Sequence, residues 1–176
     1  MSDAKPIDIF LMPGDYFVGD ERYRVRTLLG SCVSITLWHP ALRIGAMSHF
    51  LLPGHGRRKN DRPADKPGMY GVDAMELMIE GMARHGVPLM QCQGKIFGGG
   101  AMFPRSEKVR DIGTQNGDCA RSMLQQYGIH VVSESLYGEG HRQLIFTIRN
   151  GEVLSRQVPP DSAQERWSNA GRRAKA

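Results

Sequence analysis

The sequence predicts an α+β fold with a hairpin-rich core of β-sheet covered by two main helices. Runs with apolar residues at every second position outnumber runs with helical spacing, and the two kinds do not alternate one for one. The chain has 176 residues, 40% of them hydrophobic, which suits one domain with a buried core. We expect that domain to span residues 1–158 and residues 159–176 to form a poorly ordered tail.

The first predicted hairpin joins residues 32–38 to residues 44–52 through a turn that contains a proline. The first of these segments has the period of two that is typical of a strand. If the strands pair about this turn, Cys32 falls opposite His49 on one face, with Cβ atoms roughly 4.5–5.5 Å apart. A register slip of one residue would send the two side chains to opposite faces. The other face of the first strand carries Val33, Ile35 and Leu37.

The remaining elements follow from spacing and from turn residues. Apolar residues recur at helical spacing over residues 69–85, and a second helix is predicted over residues 115–127. Three glycines at residues 98–100 fit neither a phosphate-binding nor a dinucleotide-binding loop, so we expect a bulge or a close backbone approach there. Further strands are predicted at residues 90–97, 129–133, 144–149 and 153–158, with a hairpin turn at Asn150-Gly151.

Composition limits the partners and the compartment. The formal net charge is +5, but no nucleic-acid motif accompanies the scattered basic residues, so no nucleic-acid partner is predicted. No signal peptide or transmembrane stretch is evident, and three widely spaced cysteines argue against a disulfide framework. We therefore expect a cytoplasmic protein with no direct membrane insertion. Histidines and carboxylates lack the spacing of a metal site, so neither a metal nor a cofactor is predicted.

The predicted hairpin brings a thiol beside an imidazole. His49 can take the proton of Cys32 and produce the nucleophilic thiolate, so we expect a lowered pKa for Cys32. Gly30 and Ser31 allow a tight turn before the thiol and could expose backbone N–H groups to a developing oxyanion. The same residues also fit a structural role, because a cysteine in an apolar strand is usually a small buried hydrophobe.

Two segments of this hairpin carry a distinctive pattern, Leu29-Gly30-Ser31-Cys32-Val33 and Gly45-Ala46-Met47-Ser48-His49-Phe50-Leu51-Leu52-Pro53. Further pieces follow downstream in order: Ala74-Met75-Glu76-Leu77, Lys95-Ile96-Phe97-Gly98-Gly99 with Met102-Phe103, and Ile112-Gly113 with Asn116. Together these pieces, which extend over residues 12–158, resemble the CheD family of chemoreceptor glutamine deamidases.

The resemblance implies hydrolysis of glutamine side-chain amides to glutamate on methyl-accepting chemotaxis receptors, through a cysteine thiolate and a thioester. It implies that Cys32 is the nucleophile, that His49 is the acid and base, and that Thr27 orients the imidazole. It also implies two packed sheets with outer helices, a fold similar to the catalytic domain of the cytotoxic necrotizing factor toxins. Members of the family also bind the CheC phosphatase, so CheC is a further expected partner.

Two alternatives stay open on the sequence alone. The protein could act chiefly as a non-catalytic regulatory partner of CheC, which dephosphorylates the chemotaxis response regulator. It could also be a cysteine hydrolase of another amide or ester, receptor methyl esters included. The presence of both Cys32 and His49 favours catalysis, because a pure binding module does not need the pair.

The polar segment after the His49 strand is a candidate docking loop. It covers residues 54–66 and contains Arg57, Arg58 and Lys59, which suit carboxylates on a receptor surface. A solvated surface loop without a binding role is the alternative interpretation.

Overall fold

The computed structural model describes residues 4–56, 66–102 and 111–159. Within these ranges the chain forms nine strands, two α-helices and one short 3-10 helix at Leu89–Gln91. No helix in this part of the chain is long and apolar enough to cross a membrane. In chain order the strands and α-helices are β1 (Ile7–Phe10), β2 (Tyr16–Gly19), β3 (Tyr23–Leu29), β4 (Val33–His39), β5 (Ile44–Ser48), α1 (Gly71–Arg84), β6 (Gln93–Gly98), α2 (Ile112–Gln126), β7 (His130–Leu136), β8 (His141–Thr147) and β9 (Glu152–Val158).

The strands form two mixed sheets. The first sheet has the order β1-β3-β8-β9, and the second has the order β2-β5-β4-β6-β7. Each sheet contains one parallel pair, β1 with β3 and β6 with β7, and all other neighbours are antiparallel. The predicted α+β class, with two sheets and two main helices, is therefore confirmed.

Two apolar clusters join the layers. Between the sheets, Val25 and Phe146 of the first sheet share a buried cluster with Met47 and Phe97 of the second. A separate buried cluster joins the opposite face of the second sheet to α1 and α2, so this sheet is the central layer of the fold. The predicted alternation along β4 is confirmed, since Val33, Ile35 and Leu37 face the helices while Cys32 and Trp38 pack against the cluster between the sheets.

Capping and exposure explain where the elements differ from the prediction. α2 begins at residue 112 and not at residue 115, because the Asp111 side chain accepts a hydrogen bond from the Thr114 N–H at 2.8 Å. This bond satisfies one of the N–H groups that every helix start leaves without an intrahelical partner. The sequence pattern does not predict β1, β2 or β3. The first two have only four residues each and few buried side chains, so their period is weak.

Candidate active site

A threonine and a histidine meet between the two sheets. Thr27 lies on β3 of the first sheet, and His49 directly follows β5 of the second. Their exposed fractions are 3% and 2%. The Thr27 hydroxyl oxygen lies 2.7 Å from Nδ1 of His49, and the hydroxyl donates to the Leu11 carbonyl at 2.8 Å. A hydrogen bond between the sheets therefore fixes the imidazole through one of its two nitrogens.

The hydrogen bonds of Thr27 determine which nitrogen of His49 carries the proton. A hydroxyl has one proton to donate, and Thr27 gives it to the Leu11 carbonyl. The hydroxyl oxygen must then accept from Nδ1–H, which leaves the lone pair of the neutral imidazole on Nε2. Nε2 is buried and has no hydrogen-bond partner among the described residues. This nitrogen can therefore accept a proton.

The predicted pairing of Cys32 with His49 is wrong by two residues. A bridge between Val33 and Phe50 continues the register of β4 and β5, which puts Ser34 across from His49. The physical reason is that β4 ends one residue later than predicted, which moves the turn by one residue and the pairing by two. A shift of two preserves the face, so Cys32 is a diagonal neighbour of His49 on the same side of the sheet.

The turn that carries Cys32 crosses from the first sheet to the second, between β3 and β4. The glycine run after β6 holds two of its carbonyl groups. The Gly99 N–H donates to the Cys32 carbonyl and the Gly100 N–H donates to the Gly30 carbonyl, each at 2.9 Å. The side-chain amide of Asn116, on α2, donates a hydrogen bond to the Ser31 carbonyl at 3.0 Å. Among the described residues, the N–H groups of Ser31 and Cys32 donate to no backbone carbonyl.

Gly98 shows why this contact needs glycine. Its φ is 113°, in the region that side chains rarely adopt. A Cβ atom built on it would lie 2.3 Å from the carbonyl oxygen of Cys32, which is closer than real Cβ atoms approach any atom. The close backbone approach predicted for residues 98–100 is therefore confirmed, and its partner is the turn that carries Cys32.

Burial keeps both members of the thiol–imidazole pair neutral. It raises the pKa of the Cys32 thiol to about 11, although the residue's own backbone N–H acts in the opposite direction. It lowers the pKa of His49 to about 4, although the Leu11 carbonyl and the Asp15 carboxylate act in the opposite direction. The expectation of a lowered pKa for Cys32 is thus wrong for the resting protein, because desolvation dominates. Near neutral pH the site holds a thiol and a neutral imidazole.

Backbone contacts from the N-terminal segment hold His49 in ways that the sequence does not reveal. The His49 N–H donates to the Asp15 carbonyl at 3.0 Å, and the His49 carbonyl accepts from the Gly14 N–H at 2.7 Å. The Asp15 carboxylate pairs with Lys66 at 2.9 Å. The two hydrogen bonds of His49 join distant parts of the chain through backbone groups, so no spacing or residue type signals them.

A second cluster of ionisable side chains lies at the start of α1. His55, Asp73 and Glu76 bring potential ligand atoms within 4.8 Å of one another. The Asp73 carboxylate lies 3.0 Å from Nδ1 of His55 and accepts from the Gly56 N–H at 2.9 Å, so local hydrogen bonding accounts for the grouping. The expectation of no metal stays a prediction.

Some sequence predictions fall on parts of the chain that are not described. The candidate docking residues Arg57, Arg58 and Lys59 lie outside the described residues. The same holds for residues 160–176 of the predicted tail. The oxyanion candidates Gly30 and Ser31 lie on the described turn before Cys32, where the carbonyls of both accept hydrogen bonds.

The fold and the site define a class of protein. It is an α+β protein that brings a thiol and an imidazole, the groups that cysteine-dependent hydrolases use for acyl transfer, to the junction of two sheets, with a hydroxyl that holds the imidazole. Comparison with known families identifies the particular one. The family described as CheD chemotactic sensory transduction matches residues 51–157, a segment that begins just after His49. The chain belongs to the CheD family.

Curated relatives match over most of their length. Probable chemoreceptor glutamine deamidase CheD 2 from Albidiferax ferrireducens is 56% identical over 158 residues, 89% of this chain and 90% of the relative. Probable chemoreceptor glutamine deamidase CheD 1 from Chromobacterium violaceum is 39% identical over 151 residues, 85% of this chain and 77% of the relative. A protein with the name CheD and the same description, from Pseudomonas syringae pv. syringae, is 38% identical over 173 residues, 94% of this chain and 96% of the relative.

Proposed function

We propose that this protein is a glutamine deamidase that hydrolyses glutamine side-chain amides to glutamate on methyl-accepting chemotaxis receptors. The observation that carries the proposal is the hydrogen bond from His49 Nδ1 to Thr27, which leaves Nε2 as a base on the face shared with Cys32. The names of the relatives, probable chemoreceptor glutamine deamidases, support the substrate class.

The first half of the proposed reaction forms a thioester. The Cys32 sulfur attacks the carboxamide carbon of the substrate while Nε2 of His49 takes the thiol proton. The C–N bond then breaks, and His49 returns the proton to the departing nitrogen, which leaves as ammonia. The backbone N–H groups of Ser31 and Cys32 are the proposed donors to the tetrahedral oxyanion, since they donate to no backbone carbonyl among the described residues.

The second half releases the product. Nε2 of His49 takes a proton from a water molecule as the water oxygen attacks the thioester carbon. The C–S bond breaks, the sulfur regains the proton, and glutamate is left on the receptor. Throughout both halves Thr27 keeps Nδ1–H in place and so stabilises the imidazolium that forms at each step.

Because Cys32 and His49 are both neutral in the resting site, their pKa values determine at which step the thiol loses its proton. Because the pKa of Cys32 is about 11 and that of His49 about 4, proton transfer in the resting site is unfavourable. The thiol therefore loses its proton only as the sulfur forms its bond to the substrate carbon. This distinguishes the proposed mechanism from one that begins with a preformed thiolate–imidazolium pair.

Mass spectrometry of a receptor cytoplasmic fragment tests the proposal. Incubation with the protein should add about 1 Da per deamidated glutamine, since an amide becomes an acid, and ammonia should appear in equal amount. Cys32→Ala and His49→Ala should each reduce the rate by at least about a thousandfold. The matched control is Cys119→Ala, which removes a half-buried cysteine of α2 and should keep the wild-type rate.

Two outcomes would contradict the proposal. One is deamidation by a folded Cys32→Ala variant at the wild-type rate, which would exclude the thioester. The other is release of methanol from methylated receptor with no ammonia from the glutamine form, which would favour a methyl-ester hydrolase.

Four finer predictions belong to the same proposal. CheC is an expected protein partner, and Arg57, Arg58 and Lys59 are expected docking residues for the receptor. The expected compartment is the cytoplasm, whose reducing conditions suit the three free cysteines. The expected structural relative is the catalytic domain of the cytotoxic necrotizing factor toxins, which superposition on an experimental structure of that domain would test.

A further inference from the structure

We infer that Asn116 is a positioning residue that ties the turn that carries Cys32 to the chain after His49 and so sets the thiol–imidazole geometry. The inference rests on the proposed function, because it concerns how Cys32 and His49 cooperate. Asn116 lies on α2, outside both sheets, and touches neither reactive group through any described hydrogen bond. Its effect on the reaction is therefore exerted through the backbone.

The side-chain amide of Asn116 joins the two halves of the site. Its Nδ2 donates to the Ser31 carbonyl at 3.0 Å and to the Leu51 carbonyl at 2.8 Å. Ser31 directly precedes Cys32, and Leu51 follows His49 by two residues. One amide group thus fixes the separation between the segment that carries the sulfur and the segment that carries the imidazole.

The unused oxygen of Asn116 argues against a simple packing role. Both hydrogen-bond partners are carbonyl acceptors, so the atom that faces them must be the nitrogen. Oδ1 is then left buried with no partner among the described residues, and the whole residue has 0% exposure. A buried unpaired oxygen destabilises the fold, whereas a leucine of similar size would carry no such cost. What asparagine offers here and leucine would not is its two N–H donors.

The start of α2 is fixed against the same glycine run that holds the turn. A Cβ atom on Gly113 would lie 2.6 Å from the Gly99 carbonyl oxygen and 2.7 Å from that of Gly100, so helix and loop are in direct backbone contact. Gly99 and Gly100 in turn hold the carbonyls of Cys32 and Gly30. Asn116 therefore lies on a part of α2 that is held in place, one helical turn beyond Gly113.

A double-mutant cycle between Asn116 and His49 tests the inference. Asn116→Leu removes both donors at similar volume, and we expect kcat for the receptor fragment to fall about tenfold to a hundredfold with KM unchanged, because small misplacements of reacting groups are costly. In wild-type protein His49→Ala should slow alkylation of Cys32 by iodoacetamide. In the Asn116→Leu background it should have little further effect, because the imidazole no longer sits in register with the thiol.

Leu124→Ala supplies the matched control for lost stability. Leu124 is fully buried on the same helix, and its truncation lowers the melting temperature without touching the turn. It should keep the wild-type kcat, and the effect of His49→Ala on alkylation should be unchanged in its background. If Asn116→Leu fails to fold, Asn116→Ala, which also lacks both donors and adds no unpaired polar group, takes its place.

The inference is overturned if the folded Asn116 variant keeps kcat within twofold of wild type. It is also overturned if His49→Ala slows alkylation equally in both backgrounds, which would make Asn116 a structural residue only. Failure of the proposed function is distinguishable, since it would appear as deamidation by Cys32→Ala whatever residue occupies position 116.

Discussion

The two reactive groups of the site are held by different means. His49 follows a strand, and one hydroxyl from the facing sheet fixes its ring. Cys32 lies on a turn, and the carbonyls along that turn are tied by two backbone N–H groups and one buried amide. A strand aims its side chains by alternation, whereas a turn has no such rule and must be fixed along its backbone. Substitutions that displace the backbone should therefore disturb Cys32, the thiol side of the site, most. Substitutions that remove a side-chain group should disturb His49, the imidazole side, most.

The largest effect should follow from a backbone change on the thiol side. Gly98→Ala would force a Cβ atom against the Cys32 carbonyl at a φ of 113°, so the turn must move. We expect the free energy of unfolding to fall by about 3 kcal/mol or more, and kcat of the folded fraction to fall at least about a hundredfold. Urea unfolding and receptor-fragment deamidation measure the two effects.

Gly86→Ala is the control for this substitution. Gly86 also has a left-handed φ, 70°, but no atom lies within 4 Å of the position that a Cβ atom would take, and it follows α1 away from the turn. It should cost about 1 kcal/mol and leave kcat unchanged. Equal losses of kcat in the two variants would show that strain alone, and not the contact with Cys32, matters at Gly98.

A smaller effect should follow from a side-chain change on the imidazole side. Thr27→Val keeps the shape but removes the hydroxyl, which leaves the Leu11 carbonyl and Nδ1–H of His49 without their partner. We expect kcat to fall about tenfold to a hundredfold, and the free energy of unfolding by about 1–3 kcal/mol. Thr27→Ser restores the hydroxyl and should recover most of kcat. If Val and Ser variants have the same kcat, the hydroxyl does not position the ring.

Of the two halves of the site, acid should weaken the imidazole side and not the thiol side. The pKa of His49 is about 4 in the folded protein and 6.5 ordinarily, so between these values the unfolded chain binds a proton that the folded chain does not. The free energy of unfolding should fall by about 3 kcal/mol as the pH drops through this window. Urea unfolding at several pH values tests this, with His49→Gln as the control that should lack that part of the slope.

The smallest effect should come from the charges of the proposed docking residues. Replacing Arg57, Arg58 and Lys59 by Ala should lower kcat/KM on the receptor fragment about threefold to tenfold and flatten its dependence on salt, since such charges act on encounter. A short glutamine peptide should react at the wild-type rate. Equal losses on both substrates would mean that the loop shapes the site and does not dock the receptor.

Local pattern and tertiary burial explain which parts of the site the sequence predicts. The faces of β4 follow from a period of two, which is a property of neighbouring residues, so Cys32 and His49 are predicted on one side. The register depends on where the strand ends, and one extra residue in β4 moved the pairing by two. The pKa of Cys32 depends on desolvation by residues that are distant along the chain, which no local sequence pattern reveals.

Long-range contacts mark the limit of prediction most clearly at Asn116. Its two partners lie 85 and 65 residues away along the chain. The family resemblance includes this asparagine, but neither spacing nor helical period assigns it a role. Only the packing of α2 against the glycine run brings its amide to the two carbonyls.

The crossing turn between the sheets also links assembly of the fold to assembly of the site. The hydroxyl comes from one sheet and the imidazole from the other, so a chain with a single sheet assembled has no oriented base beside its sulfur. The same packing step withdraws the sulfur from water and raises its pKa from 9.0 to about 11. Packing of the two sheets thus orients the imidazole and raises the pKa of the thiol in one step, and a thiol with less thiolate is less susceptible to oxidants.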